Sequence, residues 1–175
     1  MGWTFFERTT LQSIAAELIE QGGPRGFKCI DHARNGNELY CLFVSCDDPN
    51  TRFIRLYLIA SGGRANPGSW GYKAMDEACL PYYFKCPERL LAQSTCNEPE
   101  AIRWRQACRD ARANARTHRR FLEALRPGDM FRYCDKQGVF RGLEGRYVIG
   151  LNAEGQLRRF KSSGISPVQE SPPTS

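Results

Sequence analysis

Arg105, Arg109, Arg112, Arg116 and Arg119 recur at i, i+4, i+7, i+11 and i+14, and Arg120 widens the run. On a helix turning about 100° per residue, this spacing sets the guanidiniums in one row with about 5 Å between turns. Planar guanidinium forks take phosphate oxygens in pairs, so the chemistry open to such a row is docking on a polyanion. Acids on the same helix do little to neutralise it, since Glu123 lies one turn beyond Arg119 and Asp110 falls on another side. A solvated face held by i, i+4 ion pairs is the ordinary alternative, and it lacks most of its partners. Nucleic acid or a ribonucleoprotein is therefore the leading expected partner, with an acidic protein surface as the other.

A second cluster lies in the irregular stretch from Gly62 to Pro87. Tyr72, Lys73, Asp76, Glu77, Tyr82, Tyr83 and Cys86 bring donors, acceptors and a thiol into one segment, as a small-ligand pocket or an enzyme site would need. The competing reading is a loop packed on its own aromatic rings, with Asp76 and Glu77 capping turns and satisfying Lys73. Catalysis has few candidates. A cysteine nucleophile such as Cys86 needs a basic partner, and the two histidines, His32 and His118, fall in a predicted strand and in the apolar seam of a predicted helix. Asp76 and Glu77 are adjacent and should diverge, and no Walker-type or dinucleotide glycine pattern occurs, so neither catalytic residues nor a cofactor are expected. The eight cysteines include no Cys-x-x-Cys pair. No metal site is expected, and most of the thiols should be reduced and serve as small core residues.

These residues need elements to position them. Thr9 or Thr10 can cap a first helix, with Gln12 in capping-box position relative to Thr9, and Leu11, Ile14, Ala15, Leu18 and Ile19 form its apolar face before Gly22-Gly23-Pro24. Strand-like runs follow at 27–33, 38–46 and 52–61, separated by turn formers, and predict an antiparallel meander packed on that helix. In the third run Ile54, Leu56, Leu58 and Ala60 share one face; Phe53, Arg55 and Tyr57 share the other, half covered by the following loop or open to stack bases. After the aromatic loop and a short helix at about 87–93, the long helix starts near Asn97 and stops at Arg126-Pro127-Gly128. Its buried seam is Trp104, Cys108, Ala111, Ala115, His118, Leu122 and Leu125. Runs at 130–134, 139–151 and 156–161 predict a second three-strand meander with turns at Lys136-Gln137-Gly138 and 152–155, forming either a small SH3-like barrel or an extension of the first sheet.

The expected fold class is α+β, with a helix-and-meander region at 1–96, the arginine-striped helix at 97–127, a small meander at 128–161 and a disordered Ser/Pro-rich tail at 162–175. The 175 residues carry 25 Lys and Arg against 19 Asp and Glu, a net +6, which favours phosphates or acidic surfaces over mimicry of DNA. No apolar run is long enough to span a membrane, and the opening from Met1 to Arg8 lacks the order of a signal peptide, so a cytoplasmic protein is expected. Ala107, Ala111, Ala113 and Ala115 leave room for a second helix, which makes a homodimer one arrangement the helix allows.

Gly71-Tyr72-Lys73-Ala74-Met75-Asp76-Glu77, followed by Pro81-Tyr82-Tyr83-Phe84-Lys85-Cys86-Pro87, resembles a motif of an uncharacterised domain family encoded by phages, plasmids and proteobacteria. The Met1-Gly2-Trp3 opening and Trp104-Arg105 with Cys108 are similar to that family as well. Leu80 stands where the family pattern has a glycine. The resemblance brings no activity with it. It implies a setting, the accessory genes of mobile elements acting in a host cytoplasm, where inhibiting a host defence complex such as a CRISPR effector is a common task.

Overall fold

The structure is a computed structural model that describes residues 2–6, 10–63, 68–80 and 82–168. It divides into two compact units, Met1–Arg112 and Ala113–Ser175. The class is α+β, as the residue pattern predicts. Among the described residues, no helix is long and apolar enough to cross a membrane.

The first unit is built around one strand. Glu38–Ser45 (β3) reads Leu-Tyr-Cys-Leu-Phe-Val without a polar break, and a strand of that composition has to be covered on both faces. Leu39, Cys41 and Phe43 join Tyr57 and Ile59 in a core closed by the helix Leu11–Gln21 (α1), through Ile14, Ala15 and Leu18. Tyr40 and Leu42 join Ile54 and Leu56 in a second core closed by Leu90 and Leu91 of Glu88–Leu91 (α2) and by Trp104 and Cys108 of Pro99–Ala124 (α3). The sheet is antiparallel, in the order Thr4–Phe6 (β1), Trp70–Asp76 (β5), Arg52–Ser61 (β4), β3, Phe27–Asn35 (β2).

Several expectations change here. Much of the aromatic loop is strand: β5 runs alongside β4 from Arg55↔Asp76 to Ser61↔Trp70, and the opening aromatic residues form β1 against it. The face of β4 with Phe53 and Tyr57 packs in the core under α1, not under the following loop. The cap of α1 is Thr10, in a reciprocal box with Ser13. Gln12 is not part of it, and Thr9 lies outside the described residues. Gly23 cannot be replaced freely, because a Cβ there would stand 2.6 Å from the Phe43 ring. Pro99 is the first residue of α3, where its missing N–H costs no helical bond.

The second unit is a five-stranded antiparallel sheet in the order Ile165–Pro167 (β10), Met130–Tyr133 (β6), Lys136–Glu144 (β7), Tyr147–Leu151 (β8), Leu157–Lys161 (β9). A 3-10 turn, Ser162–Gly164, precedes the strand that returns to pair with β6. That connectivity is the one of an SH3-like barrel, and a single core of Phe131, Phe140, Val148 and Ile165 closes it, with Leu125 from the segment after α3. The two meanders are therefore two sheets. The run 139–151 is two strands hinged at Gly145, whose φ is +58°. The turn between β6 and β7 is Cys134-Asp135, not Lys136-Gln137-Gly138, because β7 starts at Lys136 and Gly138 is needed inside it: a Cβ there would meet the Phe131 ring at 2.6 Å. Ser162 to Pro167 is turn and strand, where a disordered tail was expected, since Ile165 belongs to the core; residues 169–175 lie outside the described residues.

Candidate nucleic-acid interface

The arginine row is not one continuous exposed surface. Arg105 is 9% exposed. Its Nη1 donates to Glu77 Oε2 and to Ser94 Oγ, both at 2.7 Å, and its Nη2 donates to the Cys96 carbonyl at 2.7 Å. Glu77, 1% exposed, also accepts from the Ile54 backbone N–H at 2.9 Å and from Ser94 Oγ at 2.6 Å. Burial raises the Glu77 carboxyl above its ordinary range, while the bonds from Ser94, Ile54 and Arg105 pull it down. This is a buried clamp that ties α3 to the end of β5, and no external phosphate can reach it.

Arg109 and Arg112 share one acid. Arg109 Nε donates to Glu88 Oε1 and Arg112 Nη1 to Glu88 Oε2, each at 3.0 Å, and Arg112 Nη2 adds the Cys86 carbonyl at 2.7 Å. These two side chains are half engaged at the surface. Arg116 and Arg120 are exposed with no ion pair among the described residues, and Arg119 makes a loose 3.6 Å pair with Glu123. The buried seam of α3 is likewise shorter than its periodicity: Trp104 and Cys108 are buried, Ala111, His118 and Leu122 are half-buried, Ala115 is exposed, and Leu125 beyond the helix is buried.

Most of the net positive charge lies after Arg112. Residues 113–175 hold eleven Lys and Arg against six Asp and Glu, so this unit carries +5 of the chain's +6. All eleven basic side chains are exposed. The barrel concentrates several of them on one face. Val148 and Phe160 pair across β8 and β9 and point into the core, so alternation turns Tyr147, Ile149, Arg159 and Lys161 outward. Tyr147 stands opposite Lys161, and the guanidiniums of Arg159 and Arg146 lie 4.7 and 5.5 Å from its ring centroid. On the same unit His118 Nε2 lies 2.9 Å from the Ser162 carbonyl, fixing the last turns of α3 beside the end of β9. No protein-family model, no curated protein and no solved structure matches the chain.

Sequence reasoning passed over Arg146, Arg158, Arg159 and Lys161, although Arg-Arg-x-Lys within a predicted strand was a usable signal. Charges at i, i+1 and i+3 of a strand alternate sides, so two of the three share a face.

The residues of the aromatic segment are not brought together either. Tyr72 packs between Phe6 and Tyr57 on the α1 side of the sheet, with ring centroids 6.0 and 5.7 Å away. Lys73 lies on β5, and Tyr82 is 80% exposed. The Tyr83 carbonyl accepts from Trp104 Nε1 at 2.8 Å. Asp76 and Glu77 diverge, one to Arg55 at the surface and one to Arg105 inside, rather than to Lys73. Cys86 is fully buried, and burial pushes its thiol up; its Sγ lies 3.9 Å from the Pro87 carbonyl. All eight cysteines are free thiols, but only Cys41, Cys86 and Cys108 serve as buried core residues; Cys46, Cys79 and Cys134 are exposed.

Proposed function

We propose that the protein binds nucleic acid through the phosphate backbone and that its C-terminal unit carries the interface. The observation that supports this is the concentration of +5 in residues 113–175, with every basic side chain exposed. The outward patch of Arg146, Tyr147, Arg159 and Lys161 is its centre, and Arg116, Arg119, Arg120 and Arg158 add to the basic surface. Guanidiniums beside an aromatic ring suit a single strand, whose phosphates pair with Arg and Lys while a base meets the ring. Arg105 plays no part in contact.

The resemblance carried by residues 71–87 gives this role a setting. We place it among mobile-element accessory functions in a host cytoplasm, with the nucleic acid of a host ribonucleoprotein, such as a CRISPR effector, as the target.

Fluorescence anisotropy with labelled single-stranded and duplex oligonucleotides tests the reading. Reversing Arg158, Arg159 and Lys161 to Glu should weaken binding by about a hundredfold or more at low salt, since the contacts are electrostatic. Replacing Arg109 and Arg112 by Ala should change it less than about threefold, because Glu88 already holds them. The opposite ranking, or retained binding after the reversal, removes the C-terminal unit as the interface. An unmodified protein that binds no oligonucleotide but captures an acidic protein sinks the nucleic-acid reading itself.

A further inference from the structure

A cleft of about 580 Å³ opens in the N-terminal unit, among the segment that follows α1, the start of β4 and the chain entering α3. One wall is aromatic. Phe27 meets Phe53 edge-on at 5.2 Å, and the Arg55 guanidinium lies 5.7 Å from the Phe53 centroid. The polar lining includes Asp76, which accepts from Arg55 Nε at 2.5 Å and from Nη2 at 3.0 Å and still leaves 45% of its side chain exposed. Each carboxylate oxygen has two lone pairs, so this fork leaves acceptor capacity on both. Arg52 and Glu98 also line the cleft, and neither has an ion-pair partner among the described residues. Arg52 spends Nε on the Pro49 carbonyl, which leaves its terminal nitrogens to donate.

Two guanidiniums and two carboxylates cancel, and the third acid, Glu77, is held inside by Arg105. A balanced cleft has no net pull on phosphate. What it offers is an aromatic corner, two rings set nearly at right angles, with acceptors and donors in reach, into which a heteroaromatic base fits. Among the bases, guanine alone sets a ring N–H and an amino group side by side for one carboxylate. It also carries the O6 and N7 acceptors that an arginine takes as a pair. We propose that this cleft binds a guanine base, set in the corner between Phe27 and Phe53, its paired donors on Asp76 or Glu98, and its O6 and N7 on Arg52.

The assignment is independent of phosphate binding by the C-terminal unit, and reversing Arg158, Arg159 and Lys161 should leave it unchanged. The test is an NMR titration of the full-length, nitrogen-15-labelled protein with guanosine, uridine and ribose 5-phosphate. Guanosine should shift the amides of Phe53, Ala78 and Asn97 saturably, uridine should bind at least about tenfold more weakly, and ribose 5-phosphate should leave those amides in place. Asp76→Asn and Glu98→Gln remove one acceptor each. At least one should weaken guanosine about tenfold while the remaining cross-peaks keep their positions. Glu98→Gln keeps the test valid if Asp76→Asn releases Arg55. The proposal fails if these amides do not respond, if uridine or ribose 5-phosphate moves them equally, or if both variants bind guanosine as the unmodified chain does.

Discussion

Arg105 donates three hydrogen bonds inside the first unit, and its partner Glu77 is more deeply buried still. Desolvating both charges offsets much of their attraction, but removing one alone leaves the other buried and unpaired. Arg105→Ala should therefore lower stability by about 3 to 5 kcal/mol in urea melts, and a loss of binding in that variant would report unfolding. The titration of Glu77 gives a second test. Burial raises its carboxyl above the unfolded value. The stability contributed by that titration is thus fully present below the ordinary glutamate range and is lost as pH rises through the raised value. Relative to Glu77→Gln, which does not titrate, the unmodified chain should lose stability across that window; urea midpoints over an acid-to-neutral series would show it. A gain instead would mean that the Arg105 attraction outweighs burial. The arginine spacing is plain in the sequence, whereas its consequences are not. Glu77 and Glu88 lie 28 and 21 residues from Arg105 and Arg109, and no i, i+4 count can find an acid that reaches a helix through the tertiary fold.

In the barrel, two glycines are fixed by one ring. A Cβ on Gly150 would stand 2.8 Å from Phe131 and 2.7 Å from the Val139 carbonyl, and one on Gly138 would meet Phe131 at 2.6 Å. Gly150→Ala should cost about 1 to 3 kcal/mol by overpacking, lowering the thermal midpoint, whereas Gly142→Ala meets nothing within 4 Å and should be nearly silent. Elements with a clean period were legible. α1 announces itself through Ile14, Ala15 and Leu18, and β3 and β4 through their apolar runs. β5 was not, because Trp-Gly-Tyr-Lys-Ala-Met-Asp follows neither a clean alternation nor an apolar run, and its place is set by pairing with β1 and β4 on either side. β10 was missed because three residues of Ile-Ser-Pro carry no period at all; only Ile165 meeting the barrel core makes them a strand.

For the whole molecule, net charge says little until it is divided. The first unit, with fourteen basic and thirteen acidic residues, is nearly neutral, and several of its arginines are answered by acids: Arg55 by Asp76, Arg89 by Asp31, Arg105 by Glu77, and Arg109 and Arg112 by Glu88. The second unit has acids for few of its cations, and the contacts it does show are loose, at 3.6 Å for Arg119, 3.7 Å for Arg132 and 3.3 Å for Arg159. Such surface pairs contribute about 0 to 1 kcal/mol and yield readily to a phosphate. Binding measured across a salt series converts this asymmetry into a number. Each side chain that neutralises a phosphate adds about 0.7 on a single strand, or about 0.9 on a duplex, to the steepness with which log K falls against log salt. Replacing Arg158, Arg159 and Lys161 by Ala should therefore flatten that slope by about 2 to 3, and replacing Arg109 and Arg112 should leave it where it was. A slope that flattens with the second pair and not with the first three would return the interface to the front half of α3, and would require Glu88 to release both guanidiniums on binding.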